Sequence, residues 1–298
     1  MLKRILRTGI RTVIRQIPLV SGMRRIAFNR PMNWLLNNLP ENMEVRLRDG
    51  TPIFVTTADD DGRIIYLFGV ADIKVAATAA ALIAPTDVFL DIGANYGTIG
   101  FEVAQNISPG GAVHIFEPQA LLAERIGGAI RAGDRDNIHL HPIGLLDVDG
   151  TFELRRPENH SGMGSFVHGA NHALFTKNEI CQVRAISDYL PPLIEGRPFG
   201  VKLDVEGAEP NILPFLVGQP NLRFIIVEAN GNHETIFELL NLAGLSIFGI
   251  LRHPFRIMFK RVDHFEQLSQ FSDLLALRIS HAPPKASLAD LRKLMRDA

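Results

Sequence analysis

The chain has 298 residues, 46% of them hydrophobic and 21% charged, enough for a sizeable core in one large domain or two small ones. A formal net charge of −1 gives no global electrostatic reason to expect a nucleic-acid partner. A single cysteine, Cys181, excludes an intrachain disulfide and a cysteine-based zinc cluster, which fits a reducing, cytoplasmic setting and a plain structural thiol.

The charge is uneven along the chain. Residues 1–40 carry eight Lys or Arg and no Asp or Glu, so the remainder carries a net −9. Within this stretch Leu6, Ile10, Val13, Ile14 and Ile17 follow helical spacing with arginines between them. The pattern predicts a basic helical extension over 1–42. Such a helix suits docking on the domain or on a partner, peripheral contact with a membrane through residues 1–30, or a targeting peptide. No stretch reaches the roughly 18 uninterrupted apolar residues of a transmembrane helix. Arg7, Arg11 and Arg15 break the run a signal peptide would need.

A second unit is expected over 43–298. Residues 43–57 alternate around Asp49-Gly50, which predicts a β-hairpin. The Ala-rich stretch 72–84 reads as a helix stopped by Pro85. From there strand and helix alternate. Strands are predicted at 88–93, 112–118, 137–144, 200–205, 223–230, 245–251 and 273–279, with an extra strand at 151–154. Helices are predicted at 97–106, 121–133 and 233–244. The nearly continuous apolar strands indicate a parallel sheet covered on both faces, an α/β doubly wound fold. In such sheets ligands bind at the carboxyl ends of the strands. That rule singles out Asp91, Glu117, Gly144, Asp204 and Glu228.

The segment DIGANYGTIG, 91–100, follows the first core strand. Its glycines let the backbone turn tightly and approach a ligand. Asp91 is an acceptor-only group suited to a ligand ammonium. Glu117 ends the next strand, 20 residues after Gly97, and suits the hydroxyls of a ribose. Gly93, Gly97 and Gly100 do not fit the G-x-G-x-x-G spacing, which disfavours a nicotinamide-dependent oxidoreductase. A carboxylate beside the first glycine would repel a pyrophosphate and suits S-adenosylmethionine, which is cationic and carries no phosphate.

VFLDIGANYGTIG, then IFEP, then VKLDVEGAEPNIL resemble the FkbM family of S-adenosylmethionine-dependent methyltransferases over roughly residues 60–280. The resemblance implies a class I methyltransferase fold (Rossmann-like): a seven-stranded, mostly parallel sheet whose last two strands form an antiparallel pair. It implies S-adenosylmethionine as donor and a hydroxyl acceptor, on a sugar, glycolipid or secondary metabolite. By position Asp91, Gly93, Ala94, Asn95 and Gly97 match the donor loop and Glu117 the ribose contact. Gly144, opening GLLD (144–147), matches the segment near the adenine, although Gly144 and Leu146 replace the family's usual Ala and Ser.

VKLDVEGAEP, 201–210, ends the fourth core strand in a cluster of charge. Lys202 and Asp204 are two apart and so share one side of the sheet. They can pair, with Asp204 near the transferred methyl as general base. Lys202, Asp204 and Glu206 are the catalytic candidates. Glu209 reads as a favourable helix start ahead of Pro210. Asp204, Glu228 and Asn230 end neighbouring strands and offer oxygen ligands suited to Mg²⁺ as a second option. The Gly-rich loop 157–172 reads as a lid hinged at Gly162, Gly164 and Gly169. One of its histidines, His160, His168 or His172, is an alternative base. His114, His139 and His141 lie on strands, where packing is the expected role. A non-catalytic interaction protein that docks through its basic helix is the competing reading.

Overall fold

A computed structural model describes residues 2–17, 21–37, 39–167, 175–229, 231–251, 253–279 and 283–296. Three helices open the chain: α1 (Leu2–Gln16), α2 (Met23–Ala27) and α3 (Arg30–Leu36). The hairpin around Asp49-Gly50 follows as β1 (Met43–Arg46) and β2 (Pro52–Val55), paired antiparallel. Next come α4 (Asp60–Phe68), α5 (Ile73–Leu82), β3 (Val88–Ile92), α6 (Thr98–Ala104), β4 (Ala112–Phe116), α7 (Ala120–Gly133) and β5 (Ile138–His141). A smaller sheet interrupts the alternation, built from β6 (Gly144–Leu146), β7 (Gly150–Arg156) and β8 (Lys177–Ala185). The chain then runs through α8 (Ile186–Tyr189), α9 (Pro191–Ile194), β9 (Phe199–Leu203), α10 (Glu209–Val217), β10 (Leu222–Glu228), α11 (His233–Leu242) and β11 (Ser246–Ile250). It closes with β12 (Met258–Arg261), β13 (Asp273–Leu277), β14 (Lys285–Ser287) and α12 (Leu288–Arg296).

The main sheet has the order β14-β12-β11-β13-β10-β9-β3-β4-β5. Strands β5, β4, β3, β9 and β10 are parallel, and β13 runs antiparallel between β10 and β11. This is the α/β, Rossmann-like arrangement expected, with a reversed penultimate position. The strand count differs: the sheet has nine strands rather than seven, because β12 and β14 extend its far edge. Both are only three or four residues long, too short to show alternation.

Successive residues of each strand face opposite layers. Phe89, Ile115, Phe224 and Ile226 pack into the apolar layer formed with α4 to α7. Leu90, Ile92, Val201 and Val227 pack against α10 and α11 on the other side. Helices α2 and α3 contribute Met23, Ala27, Met32, Leu35 and Leu36 to the first layer, so residues of the N-terminal extension share the core of the sheet.

The expected strand 137–144 divides instead. β5 ends at His141, Pro142 intervenes, and Gly144 begins β6, which pairs with β8 of the smaller sheet. In β8, Cys181, Val183 and Ala185 alternate inward, a two-residue period that the Ile180 beside them obscures. Cys181 is buried there and its thiol is pushed up to about 12, chiefly by burial. His114 and His141 are packed side by side, Nδ1 to Nε2 at 2.9 Å, and burial pushes them down to about 3 and 4.

Helix α1 docks through its arginines. Arg11 donates to the Tyr66 carbonyl at 3.0 Å and lies over the Tyr66 ring. Arg15 donates to the carbonyls of Arg46 (2.7 Å), Leu67 (3.3 Å) and Tyr66 (3.3 Å). The Tyr66 and Leu67 carbonyls lie at the C-terminus of α4, where a cation also complements the helix dipole, and the Arg46 carbonyl ends β1. Arg15→Ala is expected to loosen α1: limited trypsin digestion should cleave within residues 2–16 several-fold faster, with little change in the melting of the sheet domain. Unchanged cleavage would mean that Ile10, Ile14 and Arg11 hold the helix without Arg15.

Candidate active site

The site lies where β4, β3, β9 and β10 end side by side. The loop after β3 turns back at Gly93 (φ 74°), Asn95 (φ 54°) and Gly97 (φ 71°), all left-handed. Gly93 has no substitute, because a Cβ there would overlap the Asp204 carbonyl oxygen of the neighbouring strand end. Gly93 and Ala94 both donate their N–H to the Phe116 carbonyl, which ties the loop to β4.

Glu117 is fully buried and takes one backbone N–H on each oxygen: Asn95 at 2.7 Å and Gln119 at 2.9 Å. Each oxygen keeps a further lone pair for a ligand hydroxyl. Burial pushes the Glu117 carboxyl up to about 7, against those two hydrogen bonds. Asn95 is engaged on all sides: its Nδ2 donates to Asp61 at 2.8 Å, and its Oδ1 accepts from Ser161 at 3.0 Å. Asp59 in turn accepts the Ser161 N–H (2.7 Å), and its other oxygen lies 3.0 Å from the Ser161 hydroxyl, competing with Asn95 for its one proton. Asp59, Asp61 and Ser161 were not read from the sequence. The ADDDG run looks like ordinary turn composition, and its partners Asn95 and Ser161 lie 34 and 102 residues away.

Asp91 does not face a ligand. It is wholly buried, its Oδ2 accepts the Gly100 N–H at 2.9 Å, and its Oδ1 lies 3.8 Å from the Lys202 ammonium. Its place is under the loop, holding the start of α6, rather than on an ammonium from solution. Lys202 is the group that connects the two strand ends. Its Nζ donates to the Gly93 carbonyl at 2.6 Å and pairs with Asp204 Oδ2 at 3.3 Å. Burial opposes its charge, but Asp204 and Asp91 overrule burial and keep it an ammonium.

After β9 the chain turns sharply, with Glu206 (φ 52°) and Gly207 (φ 104°) both left-handed. The buried Glu209 carboxylate closes this turn by accepting the N–H groups of Val205 and Gly207, each at 3.0 Å. Glu209 is thus the organiser of the turn as well as the start of α10. Asp204, Glu206 and Glu228 each bring a carboxylate oxygen within 4.8 Å of the others. Burial, with Asp204 and Glu206 beside it, pushes Glu228 up to about 11, so it keeps its proton at neutral pH. Asp204 Oδ1 is buried with no hydrogen-bond partner among the described residues. Asn230, His168, His172 and Gly169 lie outside the described residues.

Two spaces meet at this strand end. A narrow groove runs past Phe116, Glu117, Ile143, Gly144, Asp204 and Glu206. A cavity of about 760 Å³ opens on the other side of Asn95 and Asp204, among Arg24, Asp61, Lys74, His160, Met163 and Lys202. Gly93, Asn95, Gly162, Asp204 and Glu206 belong to both walls. The groove is roofed by residues 161–167. Phe166 lies so close over Gly144 that a Cβ there would come within 2.7 Å of its ring. His160 borders the cavity, with Nε2 3.2 Å from Arg24 and Nδ1 3.7 Å from Asp61.

The sequence model of the Methyltransferase FkbM domain matches residues 91–275, more than half of the chain. The chain belongs to the FkbM methyltransferase family. It is therefore an S-adenosylmethionine-dependent methyltransferase. No curated protein sequence matches it. Solved structures with a similar fold include the precorrin-6y C5,15-methyltransferase of Geobacter metallireducens, 12% identical, with a TM-score of 0.38 over 68% of this chain and 88% of that one. Others are an S-adenosylmethionine-dependent O-methyltransferase of Thermotoga maritima (11%, TM-score 0.41, 85% and 83%) and the fibrillarin of Aeropyrum pernix (14%, TM-score 0.37, 81% and 96%).

The groove residues fit such a donor. Glu117 offers lone pairs to a diol, Gly93 lets the backbone approach, and Gly144 presents no side chain. About 40 Å³ is free beneath the Phe166 roof, room for about three waters.

Two outcomes follow. Lys202→Met leaves Asp91 buried without its cation and should cost on the order of 3–5 kcal/mol in denaturant unfolding. A loss below about 1 kcal/mol would mean that Asp91 is held by Gly100 alone. Donor affinity should tighten as pH rises through about 7, because ionised Glu117 is the stronger acceptor. In calorimetry with S-adenosylhomocysteine, Glu117→Gln should weaken binding about tenfold or more and flatten that pH dependence.

Proposed function

We propose that this methyltransferase is an O-methyltransferase that acts on a hydroxyl of a sugar, glycolipid or secondary metabolite, with Asp204 as general base. The observation that carries the reading is the Asp204 side chain. Lys202 holds its Oδ2, while its Oδ1 is buried with no donor but the protonated Glu228 beside the carboxylate, on the wall between groove and cavity. A buried acceptor left unpaired is costly. A substrate hydroxyl entering from the cavity would satisfy it and give up its proton there. S-adenosylmethionine supplies a methyl carbon already activated by its sulfonium. What the protein adds is alignment of the acceptor and removal of its proton. The cavity is large enough for a small glycan or metabolite, and Arg24, Asp61 and His160 line it with donors and acceptors suited to hydroxyl-rich molecules.

A second reading of Asp204, Glu206 and Glu228 is a Mg²⁺ site, favoured by the convergence of three carboxylates.

Release of S-adenosylhomocysteine across a panel of sugars, glycolipids and secondary metabolites tests the reading. With an acceptor in hand, Asp204→Asn should lower kcat by roughly 10²–10⁴-fold while donor affinity changes little. Glu228→Gln, which mimics the protonated acid, should cost far less. Equal loss in both variants, together with abolition by EDTA and rescue by Mg²⁺, would establish the metal reading and remove the base.

A further inference from the structure

We propose that the outward face of α1 is a docking surface for an anionic lipid membrane. The helix is amphipathic, and only part of its apolar side docks, through Ile10 and Ile14. Its inner face is made by Arg7, Ile10, Arg11, Ile14 and Arg15, and Arg11 and Arg15 are spent on the backbone carbonyls at the end of α4. The apolar side chains left over are turned to solvent: Leu2 is 68% exposed, Ile5 59% and Val13 59%, with Leu6 and Ile17 exposed beside them. No residue of this helix is fully buried. An amphipathic helix that pins its cationic edge to its own domain presents the opposite of a soluble surface.

Charge identifies the occupant. Arg4 is exposed on this helix, and residues 1–40 contain no acid to neutralise it. Basic side chains flanking an exposed apolar stripe match a headgroup layer of negative charge over hydrocarbon. A second copy of the same helix would instead bring like charges together. Trp34 adds an interfacial aromatic: it is 52% exposed, and Lys3 lies over its ring at 4.3 Å while donating to its carbonyl.

Trp34 is the only tryptophan of the chain, so its emission reports on this surface. The experiment uses the full chain with vesicles of phosphatidylcholine alone or mixed with phosphatidylglycerol, followed by flotation and by Trp34 fluorescence. The protein should float with the anionic vesicles, shift its emission to the blue, and release in high salt. The double variant Leu6→Asp, Val13→Asp should lose affinity roughly tenfold or more with unchanged circular dichroism and melting, since both sites are exposed. Arg4→Glu should weaken binding to anionic vesicles only. Failure of the unmodified protein to float, or equal binding by the double variant, would overturn the proposal. So would concentration-dependent dimerisation that the double variant abolishes, since a second copy would then be the occupant.

Discussion

The buried ammonium of Lys202 is the constraint on which the rest of the site depends. A cation in that position has to be paired, and its partners are the Gly93 carbonyl, Asp204 and Asp91. Those three groups come from the ends of two neighbouring parallel strands, β3 and β9. The loop of one is thereby fixed against the turn of the other. Gly93 must be glycine for the same reason, since the two backbones meet where a Cβ would stand. The position of Asp204, between groove and cavity, follows from this packing.

Charge is divided around that ammonium by environment. Asp91 is enclosed and serves the protein's own backbone. Glu209, also enclosed, accepts two N–H groups and shapes the turn. Glu228 lies among other carboxylates and retains a proton. Asp204 combines a fixed cation on one oxygen with a second oxygen that no donor but the protonated Glu228 approaches. Carboxylates so close in sequence and space thus differ in role because burial and neighbours push them apart.

Much of this was legible in the sequence where the signal is local. VFLDIG and VKLDV showed continuous apolar strands ending in charge, and a spacing of two put Lys202 and Asp204 on one side. The hairpin at Asp49-Gly50 and the helices after β3 and β10 were equally plain. What sequence left dark depends on distant partners. The Asp59–Ser161–Asn95–Asp61 chain of hydrogen bonds spans separate loops with no common spacing. Gly144 fell in the wrong strand because Pro142 is a single-residue break in an apolar run. Asp91 was read as a ligand group because its type and place at a strand end say nothing of its complete burial. The orientation of α1 was also invisible: periodicity showed two faces but could not show that the arginines, with carbonyls to bind at the end of α4, would share the inner one.

The most direct test of the claim that Asp204 serves the reaction is a crystal structure with S-adenosylhomocysteine bound. The ribose should rest on Glu117, and the sulfur should face the Asp204 side of the wall, leaving room in the cavity for one hydroxyl between sulfur and Oδ1. A sulfur pointing away from the cavity, with Asp204 Oδ1 out of hydrogen-bond reach of any acceptor atom placed in line with it, would contradict the account.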